Sequence, residues 1–555
     1  MAKTITIKCL NNNSELELSR GVSVAKVAEI AGVTLPNPIL GALVNNRIRD
    51  LGYELFHPKT IKFFDITHPD GMRMYIRSLS FVLYAALKEL FPGVTLRVEH
   101  SVSKGYYCEV DNLRGDITID DTIAIAERMR EIVNKDLPFE KITTETSEVI
   151  RLFEAKGFTD KSELLRHRGQ YYTSYYMLGE HVGLYYGYLL PSTGYLKVFD
   201  LNKYYNGLLL RIPRVDNPQE VENLIVQTKL FEIFREHNNW NKILEVTNVS
   251  ELNRAAANGK AENLIKVTEA LHEKKIAEVA DRISARKDKI RIVLISGPSS
   301  SGKTTTSKRM AIQLLVNGIK PLNISLDNYF VDRAHTPRDE HGEYDFEALE
   351  AIDLELFNDH LVRLLNGEEV EIPKFSFETG QRFYDGEKLK MGKSNILIIE
   401  GIHALNPKLT PAIPDEAKYK VYVSALTSIN FDNQTRISTT DNRLIRRIVR
   451  DYTFRNYSAT ETIKRWPSVR RGEEKHIFPY QEEADVMFNT ALLYELAVLK
   501  PYAEPILLEV QPNQPEYSEA ERLLKFFNYF KPILPKEIPP TSILREFLGG
   551  SSFTY

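Results

Sequence analysis

Gly297-Pro-Ser-Ser-Ser-Gly-Lys-Thr304 sets two glycines, a lysine and a threonine at the spacing of a phosphate-binding loop. An apolar run, 291–296, leads into it, and a helix-forming segment from 305 to about 316 follows, closed by Asn317-Gly318. Gly297 and Gly302 let the backbone curl closely enough for successive amides, those of Ser299, Ser300, Ser301 and Thr305 among them, to surround a phosphate. Lys303 can then reach the β/γ oxygens, the Thr304 hydroxyl can ligate Mg2+, and the following helix turns its positive end to the anion. A chance Gly/Ser-rich loop would need neither the strand before it nor the helix after it. Phosphoryl transfer also needs a carboxylate to orient or deprotonate the attacking hydroxyl, and an acid near the metal. In an open α/β sheet such groups stand beyond the carboxyl ends of strands. The sequence offers two there: Asp327 after the run 322–326, and Glu400 after 395–399. Taken alone, each is equally a polar turn residue. The third constellation is the segment 441–455. Ile445, Ile448, Val449 and Tyr452 are expected on one helical face, with Arg443, Arg446, Arg447 and Arg450 on the other. Such a comb can neutralise charge that spreads over phosphate oxygens during transfer. A solvated basic face, touching RNA, is the alternative.

These groups need a scaffold, and the fold class expected is multidomain α/β and α+β. Over 287–510 the sequence alternates strands and helices, with strands at 291–296, 322–326, 396–399, 420–423 and 506–510. That alternation predicts a parallel sheet covered by helices on both faces. Residues 1–65 predict a small β-rich module: strands at 4–8, 15–18, 40–44 and 60–64, a helix near 24–31, and a hairpin turn at Asn11-Asn12-Asn13. Residues 66–215 mix helices (76–90, 121–135, 147–156) with strands (96–100, 106–110) and an aromatic-rich stretch at 171–190. Residues 216–286 read as a helical connector with a strong helical run at 261–286. The tail, 511–555, has several prolines, an aromatic helix near 520–530 and no assigned role.

The chain, 555 residues long, predicts roughly three or four domains. Its hydrophobic content of 43% and charged content of 26% are those of soluble globular protein. A formal net charge of -3 argues against a generally basic nucleic-acid binder while leaving room for a local basic face. Two cysteines, Cys9 and Cys108, make neither a disulfide framework nor a cysteine-rich zinc cluster and fit a reducing cytoplasm. No stretch approaches the roughly 20 apolar residues needed to span a bilayer. The expectation is a cytoplasmic protein without membrane attachment, its oligomeric state left open.

The segment from about 290 to 490 resembles the uridine kinase and phosphoribulokinase family of P-loop kinases. The resemblance rests on the loop itself, on Asp327-Asn-Tyr-Phe330, Tyr344-Asp345-Phe346 and Ile399-Glu-Gly-Ile402, and on the arginine segment, Ile477-Phe-Pro479 and Ala484-Asp485, in family order. It implies Asp327 as catalytic base, Asp345 as a ligand of ribose hydroxyls, and Arg443, Arg447 and Arg450 as lid residues. ATP and Mg2+ are the implied cofactors, with Thr304 and Glu400 at the metal. Tyr329, Phe375 and Arg382 complete the acceptor-site candidates. One departure bears on the acceptor. Where pyrimidine nucleoside kinases have a Tyr and a His that meet the base, Pro373-Lys-Phe-Ser-Phe-Glu-Thr-Gly-Gln-Arg382 has Phe375 and Gly380. Neither offers a side-chain hydrogen bond, which weakens discrimination among bases.

Residues 1 to about 215 resemble the front of threonyl-tRNA synthetase, a TGS domain of β-grasp type followed by an editing-type domain. The matching elements are the Asp70-Gly71 turn, Gly105-Tyr-Tyr107, Asp136-Leu-Pro-Phe139, Leu152-Phe153 with Gly157, and Pro191-Ser-Thr-Gly194. The residues that carry editing chemistry in that family are replaced. Its HxxxH pair aligns with Arg77 and Phe81, and its Cys and His with Tyr185 and Leu189, and a zinc-like site needs Cys, His or carboxylate donors. This half is expected to bind or regulate, with tRNA, a nucleotide or a partner chain as open choices. The whole chain is expected to be an ATP- and Mg2+-dependent kinase acting on a small-molecule hydroxyl, the 5′-OH of a nucleoside first. A different sugar-like acceptor and a tRNA-binding regulator are the alternatives.

Overall fold

The computed structural model describes residues 4–340 and 342–554. Its carboxyl-terminal half is built on five parallel strands in the order Lys320–Ser325, Asn395–Glu400, Ile292–Ser296, Lys418–Ser424, Val486–Asn489. Ile292–Ser296 is buried throughout and Asn395–Glu400 nearly so, as strands covered on both faces must be. The register sets Ser325, Glu400 and Ile295 side by side at one edge of the sheet. The loop after Ile292–Ser296 and the turn after Lys320–Ser325 therefore open toward the same space.

The fifth strand is Val486–Asn489, and the expected strand at 506–510 is corrected. Residues 506–508 are the last turn of the helix Glu495–Leu508, which carries Pro501 and Pro505. A short run of Ile, Leu and Val has no period that separates a buried strand from a buried helix end.

In the amino-terminal half, five strands pair in the order Ser14–Ser19, Thr4–Cys9, Lys59–Phe64, Gly41–Val44, Arg47–Arg49, with only Thr4–Cys9 and Lys59–Phe64 parallel. Val24 and Val27 of the helix Val24–Ile30 share the core of this sheet with Ile5, Ile7 and Ile61. The helix expected at 76–90 begins earlier, as Pro69–Leu90, where the His68 ring accepts the Asp70 amide at 3.2 Å and proline takes the first helical position. Asp70-Gly71 thus opens a helix, which corrects the expected turn. Gly71 is needed there because a Cβ would drive into the Asp65 carbonyl. An antiparallel sheet in the order Asp200–Tyr204, Gly207–Arg211, Gly105–Asp111, Thr95–Val102 and a three-stranded sheet, Glu140–Glu145, Tyr172–Leu178, His181–Gly183, complete this half.

The tail, unassigned by sequence, belongs to the main core. Leu523, Phe526 and Phe527 of the helix Tyr517–Phe527, and Ile543, Leu544 and Phe547 beyond it, pack in one cluster with Val293 and Ile295. The two halves meet through buried charge. Lys161 and Asp432 pair at 2.8 Å with no solvent exposure. A second series runs Asp70, Arg73, Glu519, Arg522, Asp441, with contacts of 2.7, 3.0, 2.6 and 2.8 Å. It joins the helix Pro69–Leu90 to the first turn of the helix Thr439–Phe454 through the tail helix. Burial opposes ionisation of Glu519, but Arg522 and Arg73 outweigh it and hold its carboxyl far below the usual carboxylate range. Removing one member of a buried ion network costs about 3–5 kcal/mol, because the partner charge is left uncompensated. Arg522→Ala should lower the urea midpoint accordingly, and an unchanged midpoint would show that the network contributes nothing.

Candidate active site

Backbone conformation shapes the phosphate loop first. Ser300 and Gly302 have φ of 59° and 84°, and a Cβ on Gly297 would drive into the Val423 carbonyl of the neighbouring strand. The helix Lys303–Val316 starts directly from this loop, so its first amides lack intrahelical acceptors and face the cradle. Lys303 is half-buried, and its ammonium donates to the Pro298 carbonyl at 3.2 Å. Burial lowers its pKa, while the nearby charges of Glu400, Asp327 and Glu546 oppose that shift.

Glu400 ends its strand inside the same space. One oxygen accepts the Ser325 hydroxyl at 2.7 Å and the Thr304 hydroxyl at 3.3 Å. Burial and the charge of Asp327 push its carboxyl up to about 7, against the pull of Lys303. Asp327 stands half-buried in the tight turn Leu326–Tyr329. Among the described residues, no group of three or more His, Cys, Asp and Glu side chains forms a metal cage. A hydroxyl and one or two carboxylates nevertheless suit Mg2+, a hard cation that keeps several waters and completes its shell with substrate phosphates. A carboxyl raised this far gains from a nearby cation, so Thr304 and Glu400 fit the ion the sequence implies.

The arginine helix, Thr439–Phe454, lies on the loop. Arg443 is fully buried, donates to the Ser299 carbonyl at 2.9 Å and pairs with Glu473. Arg446 bonds the Thr490 carbonyl at 2.9 Å and pairs with Glu495. Arg447 reaches the Ser299 hydroxyl at 2.9 Å and Asp451 at 3.1 Å. Arg450 is held on Asp451 at 2.7 Å. These arginines are packed, which removes the solvated-face alternative. The expected apolar face loses one member: Tyr452 is 42% exposed and donates to Glu509, while Ile445, Ile448 and Val449 are buried.

The acceptor candidates divide. Asp345 accepts the Glu347 amide at 3.2 Å and faces His476 at 4.0 Å. Burial, opposed by Arg447 and reinforced by Glu473 and Asp345, pushes the Glu347 carboxyl up to about 7. Phe375 packs against Phe330 and Phe377, with ring centroids 5.6 and 5.3 Å away, and the Arg455 guanidinium lies over Phe377 at 5.1 Å. Tyr329 does not join them. Its ring is fully buried against Phe357 and its hydroxyl meets His360 at 3.1 Å, so its place as an acceptor ligand is corrected to packing. Arg382 is tied to Asp353 at 2.8 Å, the residue that caps the helix Leu354–Leu365.

Three charged groups at the site were not singled out from sequence. Glu473 accepts the Ser299 amide at 3.0 Å from the helix Ala459–His476. Arg455 has its pKa brought down to about 10 by Arg450 and burial, against the charges of Asp451 and Asp327. Glu546 accepts the Thr305 hydroxyl at 2.6 Å. In the other half, Phe81 and Tyr185 pack ring to ring at 5.8 Å, in one apolar cluster with Leu189, and the Arg77 guanidinium lies over Tyr186 at 5.2 Å. The four aligned positions thus lie in a region filled by aromatic rings and a guanidinium.

Residues 292–493 form a domain of the Phosphoribulokinase / Uridine kinase family. The amino-terminal half is similar to threonine--tRNA ligases. Identity is 29% over 193 residues with that of Acetivibrio thermocellus (35% of this chain, 30% of the ligase) and 29% over 191 residues with that of Carboxydothermus hydrogenoformans (34% and 30%). The chain therefore spans about 30% of the length of these curated relatives. Among solved structures, one described as a possible uridine kinase from Bacillus stearothermophilus is 19% identical, with 39% of this chain and 100% of that chain covered and a TM-score of 0.26. A D-glycerate 3-kinase from Cryptococcus neoformans var. grubii is 14% identical, with 48% and 89% covered and a TM-score of 0.21.

Proposed function

We propose that the chain is an ATP- and Mg2+-dependent kinase that phosphorylates a hydroxyl of a small molecule, the 5′-OH of a ribonucleoside first. The observation that carries this is the convergence of Lys303, Thr304, Asp327 and Glu400 at the carboxyl edge of one parallel sheet. The loop amides and Lys303 hold the β/γ phosphates. Thr304 and Glu400 would hold Mg2+, which would supply charge neutralisation on the phosphate oxygens. Asp327 takes the proton as the acceptor oxygen bonds to the γ-phosphorus and the bond to the β–γ bridging oxygen breaks, releasing ADP. Arg447 and Arg450 balance charge on the equatorial oxygens, Arg443 keeps the lid on the loop, and closure excludes water. Asp345 binds the ribose hydroxyls, and Phe375 offers a base only a ring face. The amino-terminal half acts as a binding or regulatory module for tRNA, a nucleotide or a partner chain. No described helix is long and apolar enough to cross a membrane, and a cytoplasmic setting is part of the proposal.

A different sugar-like acceptor is the second reading, favoured by Phe375 and Gly380. ATP turnover across ribonucleosides, 2′-deoxyribonucleosides, sugars and sugar phosphates, with products identified by mass, separates the two. A site that bonds the 2′-hydroxyl should reject the deoxy analogue by about 10²-fold or more, with weak discrimination among bases. Turnover of sugars alone would assign the second reading. Salt-dependent tRNA binding without turnover of any acceptor would make the chain a regulator instead.

A further inference from the structure

The carboxyl-terminal segment lies on the phosphate loop, and its contacts are those of a competitor. Ile543 is buried with its Cγ2 2.6 Å from where a Cβ on Gly302 would stand, so it touches the loop backbone. Phe547, also fully buried, lies under the Arg446 guanidinium at 5.0 Å, and Arg446 reaches Thr490 beside the loop. Between them, the Glu546 carboxylate accepts the Thr305 hydroxyl at 2.6 Å and faces the Thr305 amide at 3.4 Å. That amide is in the first turn of the helix Lys303–Val316, among the donors that have no intrahelical acceptor and that hold nucleotide phosphates in loops of this kind. The charge of Glu546 also reaches Lys303 and Glu400. A phosphate oxygen and a carboxylate cannot both occupy the Thr305 donors, and two anions side by side repel each other.

We propose that residues 542–547 form an intrasteric latch in which Glu546 occupies the donors on Thr305 that a nucleotide phosphate requires, so that the nucleotide must expel it to bind. The inference rests on the assignment of the loop to ATP. A latch lowers apparent affinity by the fraction of molecules in which it is open. The buried neighbours Ile543, Leu544 and Phe547 stay anchored in the core, so the part expected to move is the half-buried Glu546 with the residues after Phe547.

The test is ADP titration by calorimetry of the full chain and of Glu546→Gln and Glu546→Ala, with hydrogen exchange followed over 542–554. Both variants should bind ADP about tenfold or more tightly than the native chain, and ADP should raise exchange of this segment in the native protein. The glutamine variant keeps side-chain volume, so it reports the charge even if the alanine variant loosens the tail. Equal or weaker ADP binding by the variants overturns the latch and leaves the loop assignment standing. No ADP binding by any of the three proteins overturns the loop assignment and the latch with it.

Discussion

Lys303→Ala should abolish ATP-dependent phosphorylation, lowering kcat by about 10³-fold or more, while the protein still folds. The magnitude follows from where the ammonium sits. It is half-buried in the loop, with the charges of Glu400, Asp327 and Glu546 acting on it, and its place in the motif lets it reach the transferring phosphoryl. Removing one preorganised electrostatic partner of a transition state costs about 10²–10³ in rate, and here the lost partner carries a full charge. Folding should survive because the hydrogen bond Lys303 makes is to the Pro298 carbonyl within its own loop. Lys303→Met, which keeps the aliphatic stem, separates lost charge from lost packing. ADP release, measured beside a thermal melt, is the check. Turnover within a few-fold of the native chain would remove Lys303 from the chemistry and the loop from its assignment.

How legible the site is in sequence follows the distance along the chain over which its contacts act. The phosphate loop, its strand and its helix are contiguous, so composition and period display them together, and the helix Lys303–Val316 starts within two residues of its expected position. Asp327 and Glu400 are legible as acids at strand ends because a parallel sheet brings such ends to one edge. Glu473 and Glu546 reach the loop across 174 and 241 residues, and no local pattern marks either one. Tyr329 misleads for a local reason. It reads as a polar neighbour of the acid, but the tight turn Leu326–Tyr329 sends its ring inward to Phe357 and His360.

The same distinction applies to the fold. Strands with clean alternation, such as Thr4–Cys9, are found nearly to the residue, whereas Val22–Ser23 and Glu54–Leu55, two residues each, leave no period to detect. The tail illustrates the limit most fully. Its prolines and aromatic residues read as an appendage, yet Phe526, Phe527 and Phe547 complete a core that begins at Val149. Burial of those rings depends on partners far away in sequence, so only the assembled structure gives the segment its place.

Asp327→Asn should lower kcat by about 10²-fold or more while leaving nucleotide affinity nearly unchanged. The substitution is isosteric, and Asp327 belongs to the turn Leu326–Tyr329 and not to the phosphate loop. An amide cannot take the acceptor proton, and general-base catalysis is worth about 10²–10⁴ in rate. A second effect sharpens the test. Glu400 is pushed up to about 7 by burial first and by the charge of Asp327 next. Neutralising Asp327 should therefore lower the Glu400 pKa and keep its carboxylate ionised toward lower pH. A group whose pKa is raised by folding disfavours the folded state once pH climbs past its ordinary value, so this variant should lose less stability than the native chain between about pH 5 and 7. Slow chemistry with intact nucleotide binding and a flattened stability profile would identify Asp327 as a base beside a strained carboxyl. Unchanged kcat with the same flattened profile would leave Asp327 an electrostatic neighbour of Glu400 and move proton transfer to another group.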